Sequence, residues 1–98
     1  MNLDNLQDTI NQVASIYSGI TNINTLYGKL DILTDTKIII VNKIDKWLES
    51  IGLITAIGTL YPNKNKHLHL YMIHNNKQYI NKITQLCQKL EIELTIGQ

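Results

Sequence analysis

The spacing of apolar side chains predicts two helices in the N-terminal part of the chain. Apolar residues recur every three or four positions from Leu3 to Tyr17, and Gly19 follows as a helix stop. Thr21 or Asn22 could cap a shorter second helix. The apolar side of that helix would consist of Ile23, Leu26, Tyr27 and Leu30.

The middle of the chain has two interpretations. Four consecutive β-branched residues, Ile38 to Val41, are typical of a buried strand. The apolar positions nevertheless continue one helical stripe as far as Ile51, and Thr34 or Asp35 stands where a helix cap is expected. We therefore interpret this part as a third helix, and keep a strand at residues 37–41 as the alternative.

The pattern that follows predicts a two-stranded hairpin. Residues 53–61 and 67–73 would form its strands around a polar turn at residues 62–65. Leu68, Leu70 and Met72 would occupy one face of the second strand.

The end of the chain predicts one more helix and a strand. Asn75 or Asn76 would cap a helix that extends to Leu90, and residues 91–96 alternate like a short terminal strand. With 98 residues, the chain is expected to form a single domain over residues 1–98.

Charge is distributed unevenly along the chain although the net charge is only +1. Residues 1–36 hold one lysine against four aspartates, whereas residues 37–89 hold eight lysines against two acidic residues. There is no arginine, which lowers the expectation of bidentate guanine contacts. We attribute the abundance of isoleucine, asparagine and lysine to an AT-rich genome. The basic part coincides with the predicted third helix and hairpin.

Cys87 is the single cysteine, so neither an internal disulfide nor a common Cys/His metal cluster is expected. The apolar runs are too short to span a bilayer, and the N-terminus lacks a basic region followed by an apolar one. We therefore expect a reduced, cytoplasmic protein without membrane contact.

Polar and basic residues on the third helix and in the hairpin turn form a candidate DNA-binding surface. Asn42 could pair with an adenine edge, Ile39 could contact a thymine methyl, and the lysines could neutralise phosphates. Lysines on an exposed helix are more often simply solvated. The candidate residues are Thr36, Lys37, Ile39, Asn42, Lys43, Lys46, Ser50, Asn63, Lys64, Asn65 and Lys66.

His67 and His69 alternate on one predicted strand and Tyr79 precedes Lys82. This resembles the histidine-hydrophobe-histidine and Tyr-x-x-Lys motifs of rolling-circle replication nickases, in which a metal polarises the phosphate that the tyrosine attacks. In that family the tyrosine lies farther from the histidines. Two solvent-facing strand histidines are therefore the preferred interpretation, and no catalytic residue, metal ligand or cofactor is expected.

Residues 35–73 resemble the winged-helix transcription regulators of the MarR, ArsR and PadR kinds. The matching positions, typical of a recognition helix that closes before the wing, are Ile44, Leu48, Gly52, Leu53 and Ile54. The resemblance implies an α+β winged helix-turn-helix with three N-terminal helices, a two-stranded wing, a C-terminal helix and a short terminal strand. It also implies a homodimer formed through the first and last helices.

These expectations describe a small, non-enzymatic, homodimeric protein that binds double-stranded DNA. It would act as a transcriptional repressor or as a plasmid or phage partition or replication factor. If residues 37–41 form a strand, the alternative is a ferredoxin-like β-α-β-β-α-β domain with an N-terminal helical extension, acting as a protein-interaction or inhibitory module. A rolling-circle nickase is the third hypothesis.

Overall fold

A five-stranded mixed β-sheet with helices on both faces forms the centre of the molecule. The computed structural model describes residues 6–72 and 77–97. In chain order, the elements are α1 (Leu6–Tyr17), β1 (Ile20–Thr25), β2 (Gly28–Leu33), β3 (Lys37–Lys43), α2 (Trp47–Gly58), β4 (Asn65–Tyr71), α3 (Ile80–Lys89) and β5 (Ile92–Gly97). Single 3-10 turns, Ile44–Lys46 and Lys77–Tyr79, lead into α2 and α3.

The strands are arranged in the order β1-β2-β3-β4-β5. The first three form an antiparallel meander, and β3, β4 and β5 are parallel. Helices α2 and α3 make the two crossovers that parallel neighbours require. Both crossing helices therefore begin at the end of the sheet where β3 and β4 finish.

The run of β-branched residues in β3 is explained by burial on both faces of the sheet. Ile38 and Ile40 pack with α2 and α3, whereas Ile39 and Val41 lie on the other face against α1. A strand covered on both sides needs apolar residues at every position instead of alternate ones. Each of the four side chains is at most 1% exposed.

The winged-helix prediction is wrong, because Lys37–Lys43 is a strand within the sheet and not part of a recognition helix. The predicted first strand of the wing is also wrong, since residues 53–58 belong to α2. Its second strand is confirmed as β4, Asn65–Tyr71, but it pairs with β3 and β5.

The predicted second helix is instead a hairpin formed by β1 and β2. The Thr25 hydroxyl donates to the Gly28 carbonyl at 2.6 Å and accepts the Tyr27 backbone N–H at 3.3 Å. Gly28 has a φ of 135°, which side chains rarely tolerate. This local hydrogen bonding closes a tight turn where the apolar spacing indicated a helix.

The ferredoxin-like alternative is wrong as well, although its central strand and its last strand exist. Three strands precede α2 and a single strand separates α2 from α3, so the order is not β-α-β-β-α-β. The first predicted helix is confirmed over Leu6–Tyr17, and the last over Ile80–Lys89. The predictions for Leu3, Ile73 and the Asn75 or Asn76 cap lie outside the described residues.

The apolar faces of helices α1 and α3 are buried against the sheet of the same chain. Ile10 and Val13 of α1 are at most 4% exposed, and Ile83 and Cys87 of α3 are at most 1% exposed. These faces cover the sheet from opposite sides. A homodimer through the first and last helices is therefore not supported. Over residues 6–72 and 77–97, every helix is too short or too polar to cross a membrane.

Candidate nucleic-acid interface

Several basic segments meet at one end of the sheet, which we call the carboxyl edge. It comprises the ends of β3 and β4, the 3-10 turns that start the two crossings, and the turn at residues 26–27. That turn belongs here because β2 runs antiparallel to β3, so β2 begins where β3 ends. The opposite end, where β3, β4 and β5 begin, is the amino edge.

Lysines outnumber acidic residues at the surface of the carboxyl edge. Exposed or half-buried lysines lie on β2, at the end of β3 and in or beside both 3-10 turns, and they are Lys29, Lys43, Lys46, Lys77 and Lys82. The exposed acidic residues among the same segments are Asp45 and Glu49. Lys46 Nζ lies 3.7 Å from Glu49 Oε1 with both side chains more than half exposed, so this pair is weak.

One of these lysines, Lys82, lies close to two aromatic rings. Lys82 Nζ lies 6.0 Å from the centroid of the Trp47 ring and 5.7 Å from that of the Tyr79 ring. Trp47 begins α2 and Tyr79 immediately precedes α3, so the contact joins the two helix starts. The distances suit a cation–π interaction on both rings.

Asn42 and Ser50 of the predicted site are linked at this edge. The Asn42 side-chain amide donates to Ser50 Oγ at 3.0 Å, and Ser50 Oγ donates to the Lys46 carbonyl at 2.8 Å. Asn42 Oδ1 also accepts the Lys43 backbone N–H at 2.9 Å. These bonds tie the end of β3 to the first turn of α2, so the carboxyl edge brings together Asn42, Lys43, Lys46 and Ser50.

The remaining predicted DNA-binding residues lie elsewhere. Ile39 is 0% exposed, so its side chain is enclosed and has no access to a thymine methyl. Thr36, Lys37 and the residues after α2 lie at the amino edge, because α2 spans the length of the sheet before β4 begins. This second group consists of Thr36, Lys37, Asn63, Lys64, Asn65 and Lys66.

Several of these amino-edge residues have hydrogen-bond or ion-pair partners within the chain. Lys64 Nζ donates to the carbonyls of Thr34 at 2.7 Å and Asp35 at 2.8 Å. Lys37 Nζ pairs with the Glu93 carboxylate. The Asn65 backbone N–H donates to the Thr36 carbonyl at 2.8 Å. The predicted surface is thus divided between opposite ends of the sheet.

His67 and His69 lie on the face of the sheet that α1 covers. His67 Nε2 and His69 Nδ1 lie 2.9 Å and 2.7 Å from Thr95 Oγ1. Burial lowers the pKa of both imidazoles, that of His67 to about 4. Tyr79 packs on the opposite face, against the α2 and α3 core. The nickase arrangement of two histidines facing a tyrosine is therefore not formed.

Asp31 is a buried carboxylate that sequence reasoning missed. It is 7% exposed and accepts the Val41 backbone N–H at 2.8 Å. The β2–β3 register pairs Ile32 with Ile39, and beyond that point the Asp31 side chain bridges the two strands. Burial raises the pKa of the Asp31 carboxyl, while the Val41 N–H and Lys29 oppose the shift. The position of this aspartate between two apolar residues, Leu30 and Ile32, could have indicated a buried carboxylate.

No group of three or more histidine, cysteine, aspartate or glutamate side chains in the described ranges is placed to hold a metal ion. The aromatic and basic residues of the carboxyl edge that the sequence analysis did not assign to the DNA-binding surface are Tyr27, Lys29, Trp47, Lys77, Tyr79 and Lys82. They lie on five different segments, so their proximity depends on the order of the strands.

Three KilA-N domain-containing proteins of Acanthamoeba polyphaga mimivirus are similar to this chain. Two are 32% identical over 80 residues, which is 82% of this chain and 32% or 22% of the relative. The third is 38% identical over 72 residues, 74% of this chain and 19% of the relative. The chain therefore spans a third or less of the length of these curated relatives, and their names describe proteins that extend well beyond the matched segment.

No protein-family profile matches the chain, and no solved structure matches it. The similar proteins do not carry the name of a winged-helix regulator of the MarR, ArsR or PadR kinds.

Proposed function

We propose that this chain is a DNA-binding domain that contacts DNA with its carboxyl edge. The observation that carries the proposal is the position of Lys82 over both Trp47 and Tyr79, which unites the two helix starts in a lysine-rich surface. KilA-N domains are a family of DNA-binding domains, and the similarity to proteins that contain one supports the same chemistry here.

Phosphate neutralisation supplies the main attraction in this proposal. Lys29, Lys43, Lys46, Lys77 and Lys82 present cations along one end of the sheet. Binding a strand would release its condensed counterions, so affinity falls as salt concentration rises. The first turns of α2 and α3 point the positive ends of their dipoles toward the same edge, which favours anions there. Trp47 and Tyr79 add flat surfaces beside the cations.

The proposed mode of DNA binding differs from that of a regulator that inserts a helix into the major groove. Residues 37–43 are hydrogen-bonded between β2 and β4 and cannot enter a groove as a helix. The proposal therefore does not include readout of the major groove by a helix at residues 37–43, and the lysines act as point charges on the DNA backbone. We propose binding without catalysis, in a regulatory or replication-related role.

Fluorescence anisotropy with a labelled oligonucleotide tests the proposal across a series of salt concentrations. The double variant Lys46→Gln, Lys82→Gln removes two cations from the carboxyl edge. Its plot of log affinity against log salt should be shallower than wild type by about two, one for each lost phosphate contact. The matched control Lys66→Gln, Lys89→Gln removes the same charge from the amino edge and should leave the slope unchanged.

Equal slopes for the two double variants would contradict the assignment of the surface. An oligonucleotide that wild type fails to bind at low salt would contradict DNA binding itself.

A further inference from the structure

A groove lies between the β1–β2 turn and the outer side of α2, next to the carboxyl edge. It is open to solvent and has a volume of about 500 Å³. Tyr27 of the turn lines one side, and Gly52, Leu53 and Ala56 of α2 line the other. A Cβ at Gly28 would lie 3.2 Å from Leu53 Cδ1, which shows how closely the turn approaches the helix. The turn therefore packs directly against the helix beside the groove.

The walls of the groove suit a flat, largely apolar ring. Tyr27 is 51% exposed although it is a large aromatic residue, so much of its surface is available for stacking. A Cβ at Gly52 would meet no atom within 4 Å, which leaves open space along the helix side. Base–aromatic stacking needs a flat ligand and tolerates any base, because every base has a π-face.

The polar lining of the groove suits the edge of a nucleobase. Asn42, Ser50 and Glu49 contribute an amide, a hydroxyl and a carboxylate. The Asn42 bonds given above use one amide hydrogen and one lone pair of Oδ1, and the amide carries two of each. A donor and an acceptor side by side match an adenine edge, and a carboxylate accepts from an exocyclic amino group.

Lysines next to the groove supply sites for the phosphates on either side of such a base. The Lys46 carbonyl accepts the Ser50 hydroxyl, and Lys46 Nζ lies 3.7 Å from Oε1 of Glu49, which lines the groove. Lys29 follows the turn that carries Tyr27. The groove therefore opens on the surface to which DNA binding was assigned above.

We propose that this groove holds one unpaired nucleobase of the DNA strand bound at the carboxyl edge. The inference depends on the proposed DNA binding and makes it more specific. A base can enter only if it is not stacked in a fully paired duplex, so single strands are bound in preference to duplexes of the same sequence.

The variant Gly52→Leu fills the groove without crowding the backbone, because the new side chain starts in open space. Gln85→Leu is the matched control, since it adds the same side chain at an exposed position of α3 away from the groove. Both proteins are titrated with a single-stranded oligonucleotide carrying 2-aminopurine, whose emission is quenched by stacking, and with the corresponding duplex.

Wild type and Gln85→Leu should quench the single-stranded probe and bind it about tenfold more tightly than the duplex, as one stacked base would provide. Gly52→Leu should lose the quenching and the preference while keeping the duplex affinity and the salt slope. Tyr27→Ala should behave like Gly52→Leu, and Tyr27→Phe should behave like wild type.

Quenching and strand preference that persist in Gly52→Leu would overturn the groove assignment and leave salt-dependent DNA binding intact. Failure of wild type to bind either oligonucleotide would overturn the proposed function together with the inference. Adenosine 5′-monophosphate serves as a separate probe. If Gly52→Leu abolishes its binding but leaves the quenching and the strand preference of the oligonucleotides unchanged, the groove binds free nucleotides only and the inference is wrong.

Discussion

Acidification should destabilise the fold through one buried side chain, His67. Its ring is 0% exposed, and Nδ1 has no hydrogen-bond partner among the described residues. Burial lowers the pKa of His67 from 6.5 to about 4, and the Glu93 carboxylate, 4.0 Å from Nδ1, offsets only part of this effect. The folded protein therefore holds this imidazole neutral at pH values where the unfolded chain is protonated.

The size of the effect follows from the pKa values of His67 in the unfolded and the folded protein. Between about pH 6.5 and about pH 4 the unfolded state binds more protons than the folded state, so the free energy of unfolding falls as the pH falls. The full difference corresponds to about 3 kcal/mol, because each pKa unit is worth about 1.4 kcal/mol. About 2 kcal/mol of this should already be lost by about pH 5, above the ordinary pKa of most carboxyls.

Urea unfolding at about pH 7.5 and about pH 5 measures the loss, with the single tryptophan, Trp47, as the fluorescent probe. The variant His67→Phe removes the titration and keeps a ring against Tyr17, whose centroid lies 5.2 Å from that of His67 at 81°. Wild type should lose about 2 kcal/mol more than the variant over this interval. The same loss in both proteins would refute the assignment of the pH dependence to His67.

Two further predictions concern residues that the sequence analysis assigned to a DNA-binding surface. In the structure, Lys64 is hydrogen-bonded within the chain and Ile39 is buried. Lys64→Met should lower the free energy of unfolding by about 1–2 kcal/mol, because the Thr34 and Asp35 carbonyls lose a charged donor. The same change at exposed Lys89 should cost less than about 0.5 kcal/mol, and equal costs in urea unfolding would contradict a stabilising role of the two Lys64 hydrogen bonds. Ile39→Ala should cost about 2–5 kcal/mol by leaving a cavity, and Ile39→Val about 0.5–1.5 kcal/mol. Thermal or urea unfolding checks both variants, and a negligible loss for the alanine variant would contradict the complete burial of Ile39.

Local periodicity identified the elements whose faces differ in polarity. The first helix was predicted because α1 covers the sheet with one side only, and Ile10 and Val13 recur at helical spacing. The strand Ile38 to Val41 was misassigned because it is buried on both faces and therefore has no period of its own. The neighbouring Ile44 and Ile51 do belong to a helical stripe, that of the 3-10 turn and α2, and extending it backwards included the strand.

Two other segments were misassigned because the spacing of apolar residues alone did not determine their structure. Leu53 and Ile57 were assigned to a strand, but Ile51, Ile54 and Ile57 are three residues apart and form the buried side of α2. The β1–β2 hairpin was assigned to a helix because its turn depends on the Thr25 hydroxyl, which apolar spacing does not detect.

The sequence predicted that the candidate interface would be rich in lysine, but it did not predict which lysines would lie together. The excess of lysines in residues 37–89 is real, yet α2 and α3 each cross from one end of the sheet to the other. Lysines close in sequence, such as Lys64 and Lys46, therefore lie at opposite edges. Lys29 and Lys82, distant in sequence, share one edge because β2 starts where β3 and β4 finish.

The edge strand β1 has an irregular backbone that disfavours pairing with a strand of another molecule. Its register with β2 pairs Thr21 with Ile32 and Ile23 with Leu30 but skips Asn22, which has a φ of 61°. Asparagine tolerates this left-handed conformation better than most residues. A strand from a second molecule would find the exposed row of donors and acceptors broken in the middle. At the β1 edge, a sheet whose interior is this rich in isoleucine is thereby protected against adding strands from other molecules.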